Sequence, residues 1–439
     1  MIKKYYLLNI LLLLCFILPA QEVFDLKRCI ETGLERNYEI RMIRNEQQIA
    51  DNNLTRGNAG YLPQVGLSAG YSGTVNNTEQ RLSGSTVTQE ETGVHNQTLN
   101  AGINMDWTVF DGFGIQSTYS KLKEYRQMGE LSTRLTIENF IADVASEYYN
   151  YIQQTIRMNI LQSTVRLSKE RVRIAEARYQ IGASSRLDWQ QAKVDFNSDS
   201  SRLVQQHEIV YKTRIRLNQL MALQELESSV VQDSIIDLTT LLERNITLNQ
   251  LLERNTLLEL SRKDRNISEL DLKIAQSQNY PYLKVNAGYG YTQNLYATGT
   301  YDRQQNLGLN YGITLGYNLF DGGNRKRKQK NTRLEIQNKG LAYEQLELSL
   351  RGDFSTMWMA YQNNTDLRIL EKENLQVAKE AYEIAIDRYK LGDLSGLELR
   401  EIQNRLLEAE ERLVQAQYNT KLCEISLLQI SGQILTYLE

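Results

Sequence analysis

Histidine, cysteine and proline are nearly absent from these 439 residues: two, three and three respectively. His95 and His207 stand at no zinc-ligand spacing, and no nucleophile elbow or phosphate loop accompanies them. The chain is therefore read as non-enzymatic, with no catalytic residue, no metal and no cofactor. Cys15, Cys29 and Cys423 are too few and too scattered for a disulfide framework, and the last two read as small buried apolar residues. Long apolar runs are missing too. Charged residues make up 23% and mean hydropathy is −0.47, which excludes a bundle of membrane helices. The exception is Leu7 to Leu18, preceded by Lys3 and Lys4 and followed by Pro19-Ala20-Gln21. This pattern is a secretory signal peptide over 1–20, too short to span a bilayer. Leu14 before Cys15, with the apolar run continuing past it, argues against lipidation. Without Lys3 and Lys4, 48 basic residues face 53 acidic ones, a net charge of −5. Nothing in that balance favours nucleic acid.

What the chain does contain is itself, twice. Leu34-Glu35-Arg36-Asn37 recurs as Leu252-Glu253-Arg254-Asn255, and Ala69-Gly70-Tyr71 as Ala287-Gly288-Tyr289, both at an offset of 218. Phe110-Asp111-Gly112 recurs as Phe320-Asp321-Gly322 at an offset of 210, and that offset persists in Arg178-Tyr179, Gly182, Ser185 and Leu187 against Arg388-Tyr389, Gly392, Ser395 and Leu397. The change of eight falls between Tyr71 and Phe110, locating a longer loop in the first copy. Eight is even, so the facing of the flanking strands is preserved.

Each copy opens with a helical segment, roughly 25–60 and 240–279. Pro63 and Pro281 end it, each removing a donor and biasing the residue before it toward extended geometry. Two strands follow. Leu99, Ala101, Ile103, Met105, Trp107 and Val109 alternate with Asn100, Gly102, Asn104, Asp106 and Thr108; Leu307 through Leu319 alternate in the same way with Gly308 through Asn318. Period two over ten or more residues predicts strands. Apolar residues on one face and Gly, Ser and Asn on the other suit lipid outside and a lumen inside, with Tyr and Trp at the interfaces. Asp111-Gly112 and Asp321-Gly322 then return the chain to helix. From 113 to 180 and from 324 to 390 there is no proline, and Ile137, Ile141, Val144, Tyr148, Ile152, Ile156 and Ile160 keep helical spacing. Such a helix would be about 100 Å long, a rod beside other rods rather than part of a globule. Gly182 and Gly392 turn it into a second helix, 186–222 and 396–432.

Four strands cannot close a barrel, and an open sheet edge is not tolerated in lipid. Several chains must therefore contribute to one barrel. The expected organisation is an α+β membrane protein with an internal duplication. Strand pairs with their outer loops occupy 61–111 and 280–321, and helical parts occupy 21–60, 112–279 and 322–439.

These features resemble the TolC family of outer-membrane efflux channels over essentially the whole mature chain. The carrying motifs are Ala59-Gly60-Tyr61-Leu62-Pro63, the paired Phe-Asp-Gly turns and the two Arg-Tyr-x-x-Gly-x-x-Ser-x-Leu-Asp/Glu tips. The resemblance implies a homotrimeric β-barrel with four strands per chain, continued by a long antiparallel helical, coiled-coil tunnel in the periplasm. It also implies docking to a periplasmic adaptor and an inner-membrane transporter of the RND or ABC class. It places an acidic constriction at Glu398 and Glu401, with Asp188 in the related place of the first copy and Tyr389 on a residue linking neighbouring hairpins. Leu394 stands where the family has a tip arginine, leaving Arg400 or Arg186 as substitutes for a latch. Gly182, Ser185, Leu187, Gly392, Ser395 and Leu397 are candidate adaptor-docking residues; the glycines and serines serve equally as turn and cap residues. Pro63, Pro281, Asp111, Gly112, Asp321 and Gly322 mark helix–strand junctions. Arg325-Lys326-Arg327-Lys328 could meet anionic headgroups or simply be solvated.

The leading functional expectation is passive conduction of small molecules, as in multidrug export, through an outer-membrane exit duct with a large periplasmic portion. Two alternatives share part of the pattern. One is the exit duct of type I protein secretion; the other is a coiled-coil stalk or adhesin, which would not need a second strand pair.

Overall fold

A computed structural model describes residues 23–81, 83–84, 86–227, 230–231, 233–236, 238, 242–299 and 301–438. The signal peptide assigned to 1–20 lies outside the described residues. The chain divides into two compact units. Of the described residues, one unit comprises those up to Asn45, those within Leu131–Leu260 and those from Glu344 on; the other comprises those within Glu46–Glu130 and Ser261–Tyr343.

The second unit holds a four-stranded antiparallel sheet in the order β2 (Gln64–Arg81), β3 (Thr88–Phe110), β5 (Tyr282–Leu295), β6 (Arg303–Gly316). Its alternation is the one read from the sequence. Leu67, Leu309, Tyr311, Ile313 and Leu315 project from one face and are two-thirds or more exposed, a surface that water would not tolerate over so many residues. The polar face is built by pairing asparagine with glycine. A Cβ on Gly288 would lie 2.5 Å from Asn310 Oδ1 and 2.8 Å from Asn104 Oδ1, and one on Gly312 2.7 Å from Asn286 Oδ1. Each amide lies across a neighbouring strand where a side chain is missing. Asn104 also donates to Ser68 Oγ at 2.9 Å. The alternation was expected to continue to Leu319, yet β6 ends at Gly316 because its partner β5 begins at Tyr282, directly opposite. Beyond that point the strand has no neighbour among the described residues of its own chain.

Two helices preceding the strands, α2 (Tyr38–Asn53) and α7 (Thr256–Ser277), flank long helices α4 (Gly114–Gln180) and α8 (Asn324–Leu391). Within the second unit, ion pairs tie them together: Arg126 to Asp51 at 2.7 Å, Lys121 to Asp271 at 2.6 Å and Lys339 to Asp264 at 2.5 Å.

The first unit buries an apolar core in which Ile141, Val144, Tyr148 and Ile152 of α4 meet Ile30, Ile40, Leu217, Met221 and Ile425. The Tyr148 hydroxyl donates to Asp233 at 2.6 Å. A short parallel pair, β1 (Val23–Phe24) with β4 (Val230–Val231), lies in the same unit. Cys29 is buried among these residues, and burial pushes its thiol up to about 12, so it is unreactive. The segments expected as single helices over 25–60 and 240–279 are interrupted. Helix α1 (Leu26–Arg36) stops at Asn37 and α6 (Arg244–Arg254) at Asn255, the last residue of the duplicated Leu-Glu-Arg-Asn motif. Asn37 Nδ2 donates to the Leu220 carbonyl at 3.0 Å, closing onto the end of α5 (Arg186–Leu220), while its Oδ1 accepts from Glu39 N at 2.8 Å. Asn255 does the same at the end of α9 (Gly396–Ile430), donating to the Ile430 carbonyl at 2.8 Å and accepting from Leu258 N at 3.1 Å. One amide thus stops a helix, starts the next and satisfies a carbonyl at the end of a third.

Candidate functional site

The two helical tips have the same construction, and each repeated letter of their motif has a physical task. In the first, α4 ends at Gln180, Gly182 takes a left-handed φ of 77°, and Ala183 N bonds the Arg178 carbonyl at 2.8 Å. In the second, α8 ends at Leu391, Gly392 has φ 95°, and Asp393 N bonds the Arg388 carbonyl at 3.0 Å. Glycine is required there because a Cβ is strained in that region. Ser185 and Ser395 are the N-caps of the returning helices α5 and α9, and Asp188 and Glu398 complete reciprocal capping boxes. Leu187 and Leu397, each about three-quarters exposed, project beside the caps.

The capping geometry also fixes charge. Asp188 Oδ2 accepts from Ser184 Oγ at 2.8 Å and Ser185 Oγ at 2.9 Å, and these bonds hold its carboxyl below the usual range. Glu398 Oε2 accepts from Ser395 Oγ at 2.8 Å and Ser395 N at 3.0 Å, with the same consequence. Both stay ionised, and their contribution to the caps is present above the ordinary carboxylate range and lost as pH falls through the lowered value. Glu401 pairs with Arg405 one turn on, at 2.5 Å, on an open face.

Tyr389 sits in a small buried cluster with Ala385 and Leu399, packed by Ile174, Tyr382, Ile386, Leu394 and Ile402. Leu394 is thus an apolar wall for this tyrosine. Arg178 lies over the Tyr389 ring at 5.3 Å and donates to its carbonyl at 3.2 Å, joining the first tip to the second. Burial raises the Tyr389 hydroxyl, opposed by the nearby Arg178 and Arg171 guanidinium groups. Asp188 is engaged with serines of its own turn, and among the described residues the polar contact to Tyr389 comes from Arg178.

Sequence reading missed most of a polar network that joins the two hairpins. Arg400 of α9 makes a bidentate pair with Asp199 of α5, Nη1 to Oδ2 at 2.7 Å and Nη2 to Oδ1 at 2.8 Å. The Asp199 side chain is fully buried and that of Arg400 is 14% exposed. Ser168 of α4 also donates to Asp199, Gln403 Nε2 donates to Ser168 Oγ at 3.1 Å, and Arg171 pairs with Asp195 at 2.5 Å. Of these only Arg400 had been singled out, as a latch substitute; Arg186 is exposed on the surface. The signal was available: Ser168 with Arg171, Asp195 with Asp199, and Arg400 with Gln403 are polar pairs at three- or four-residue spacing, each on one helix face.

At the strand ends, Pro63 and Pro281 immediately precede β2 and β5. Asp111 Oδ1 accepts from Ile115 N at 3.0 Å and Asp321 Oδ2 from Arg325 N at 2.8 Å, capping α4 and α8. Gly112 and Gly322 have φ of 75° and 70°. Arg325 turns back to donate to the Gln278 carbonyl at 3.0 Å.

The family model described as "Outer membrane efflux protein" matches residues 29–223 and 247–433, one match on each copy of the duplication. The outer membrane protein TolC of Vibrio cholerae serotype O1 is 21% identical over 389 residues, covering 87% of this chain and 84% of that protein. Among solved structures, the outer membrane protein VceC from Vibrio cholerae superposes with a TM-score of 0.75 at 18% identity, covering 93% of this chain and 96% of that one. The open state of the Neisseria gonorrhoeae MtrE outer membrane channel gives 0.73 at 16% identity, over 93% and 89%.

Proposed function

We propose, from the premise that this chain belongs to the outer membrane efflux protein family, that three copies form a gated exit duct through which small molecules leave passively. The protein is an outer-membrane channel and not an enzyme. The single observation that carries the trimeric duct is the sheet. Four strands carry an exposed apolar face and two edges, β2 and β6, that are unpaired among the described residues, and further copies can satisfy those edges in lipid. A second feature of the single chain agrees. Along α8, Leu334, Leu341 and Leu348 recur every seven residues, as do Leu370, Val377, Ile384 and Leu391, all of them exposed. A seven-residue apolar repeat is the seam of a coiled coil.

An inner-membrane transporter of the RND or ABC class would supply energy, and a periplasmic adaptor would dock on the tips. Leu187 and Leu397 offer exposed apolar contacts there, and Gly182, Ser185, Gly392 and Ser395 permit close approach of partner helices. The gate would lie at the same tips. Glu398 and Glu401 from three copies place six carboxylates around a narrow mouth. Glu398 remains charged because its serine cap holds it so, while Arg405 partly offsets Glu401.

Single-channel recording tests this assignment. Trivalent or divalent cations added from the periplasmic side should block the current, and changing both Glu398 and Glu401 to Gln should weaken that block several-fold with assembly unchanged. Block of undiminished strength in the double variant would remove these two residues from the constriction and leave Asp188 as the next candidate.

A further inference from the structure

We propose that β6 of one copy, extended from Arg303 to Phe320, pairs antiparallel with the whole of β2 in the next copy, in one register that places Ile313 opposite Tyr71 of the partner subunit. The proposal rests on the oligomeric reading above and adds to it the alignment of the closing seam.

Under the two repeat offsets, 218 for the first strand of each copy and 210 for the second, the β2–β3 ladder over Gln64–Asn76 maps onto the β5–β6 ladder over Tyr282–Asn294 pair for pair. Ala69 opposite Ala101 becomes Ala287 opposite Tyr311, and Tyr71 opposite Leu99 becomes Tyr289 opposite Leu309. The two hairpins are therefore equivalent in register as well as in sequence. The junction between them inside one chain, β3 against β5, is a worked example of one hairpin meeting the next. There Ile103 faces Tyr289, Met105 faces Ala287 and Trp107 faces Val285. Carried to the seam by the same offsets, these pairs become Ile313 with the partner subunit's Tyr71, Leu315 with the partner subunit's Ala69 and Tyr317 with the partner subunit's Leu67. The residue types agree: isoleucine with tyrosine again, an aliphatic side chain with alanine, an aromatic ring with an aliphatic. On the polar face, Asn104 opposite Gly288 becomes Thr314 opposite the partner subunit's Gly70, so the glycine is kept where the template has one.

The strand ends and the stagger of the sheet both agree with this register. The edges coincide to within one residue. Arg303, where β6 begins, meets the level of Arg81, where β2 ends, and Phe320, carried from Phe110 opposite Leu283 beyond the template's register shift, meets the level of Val65, one residue inside the start of β2. This supplies a partner for Tyr317 to Phe320, which keep the strand pattern but have no strand partner among the described residues of their own chain. Leu319 and Phe320 are 85% and 82% exposed there. Their equivalents Val109 and Phe110 lie within β3, and Phe110 is paired on β5 with Leu283. The second observation is the stagger. Following the pairings across the sheet from Gln64 leads to Asp106, Asn286 and Gly312, and the proposed seam then leads to Ser72 of the partner subunit. Each copy therefore advances the register by eight residues, giving the tilt that a closed barrel needs. A seam returning Gly312 to Gln64 of the partner subunit would have no stagger and could not close.

Paired cysteines read the register directly. Opposed residues on antiparallel strands have Cα atoms about 4.5–5.5 Å apart, inside disulfide range. In the full-length protein oxidised in outer membranes, Ile313→Cys with Tyr71→Cys, or Gly312→Cys with Ser72→Cys, should give covalent dimers and trimers on non-reducing gels. One of these pairs is of the non-hydrogen-bonded kind, in which side chains approach more closely. Ile313→Cys with Leu67→Cys, and Ile313→Cys with Val75→Cys, displaced by four residues either way, should stay uncrosslinked. Trimers that crosslink through a displaced pair, or through none of the four, overturn the register. A single-chain mass in detergent would instead overturn the oligomeric reading on which it rests.

Discussion

Asp199→Ala should be the most damaging single change in the helical tips, destabilising the folded hairpins by about 3–5 kcal/mol. Removing one partner of a buried ion pair leaves the other as an uncompensated charge in low dielectric, and costs of that order follow. Here the abandoned group is Arg400, 14% exposed, with Arg171 only 3% exposed nearby. Hydrogen exchange should show the loss as faster exchange in α5 and α9 beyond Ser185 and Ser395. Because Asp199 belongs to the first hairpin and Arg400 to the second, the closed channel should also leak more current. Replacing both residues by Leu separates charge from packing. Exchanging a buried ion pair for apolar residues is often neutral or stabilising, so the double variant should recover most of the lost protection. It should still leak, since the bidentate tie between hairpins is gone. Arg400→Lys should resemble a loss rather than a conservative change, because an ammonium cannot make the two parallel bonds. Equal protection in Asp199→Ala and the unmodified protein would show that the pair carries nothing.

The second large effect concerns assembly. Leu341→Glu with Leu348→Glu should leave each chain folded yet prevent association. These side chains are 63% and 73% exposed in a single chain, so the substitutions create no cavity and bury no charge there. In a three-copy bundle each leucine would contribute about 1.5–3 kcal/mol by burial, summed over six positions, and each glutamate would have to lose its hydration instead. Circular dichroism should therefore be unchanged while native mass spectrometry shows single chains. Trimers of undiminished stability would mean that this seam faces solvent.

Much of this was legible in the sequence, for identifiable reasons. Strands with one face in lipid must alternate without interruption, so Leu99–Val109 and Leu307–Leu315 could be read directly. The tip motif was equally readable because glycine at a left-handed position and serine at an N-cap are local requirements. What stayed hidden depended on contacts between distant segments. Asn37 and Asn255 break helices that periodicity alone would continue, and their purpose is visible only once the Leu220 and Ile430 carbonyls lie beside them. Asp199 resembles any surface aspartate until α5 and α9 pack together. The end of β6 at Gly316 could not be foreseen either, since it depends on where its neighbour begins and not on its own residues.

Ion current across a planar lipid bilayer tests the central claim, that the assembled chain is a water-filled duct closed at its helical tips. The unmodified protein should give small, mostly closed currents, and Asp199→Ala should give stepwise openings of markedly larger average conductance. A folded assembly that passes no current in either form would contradict the account and favour a structural stalk.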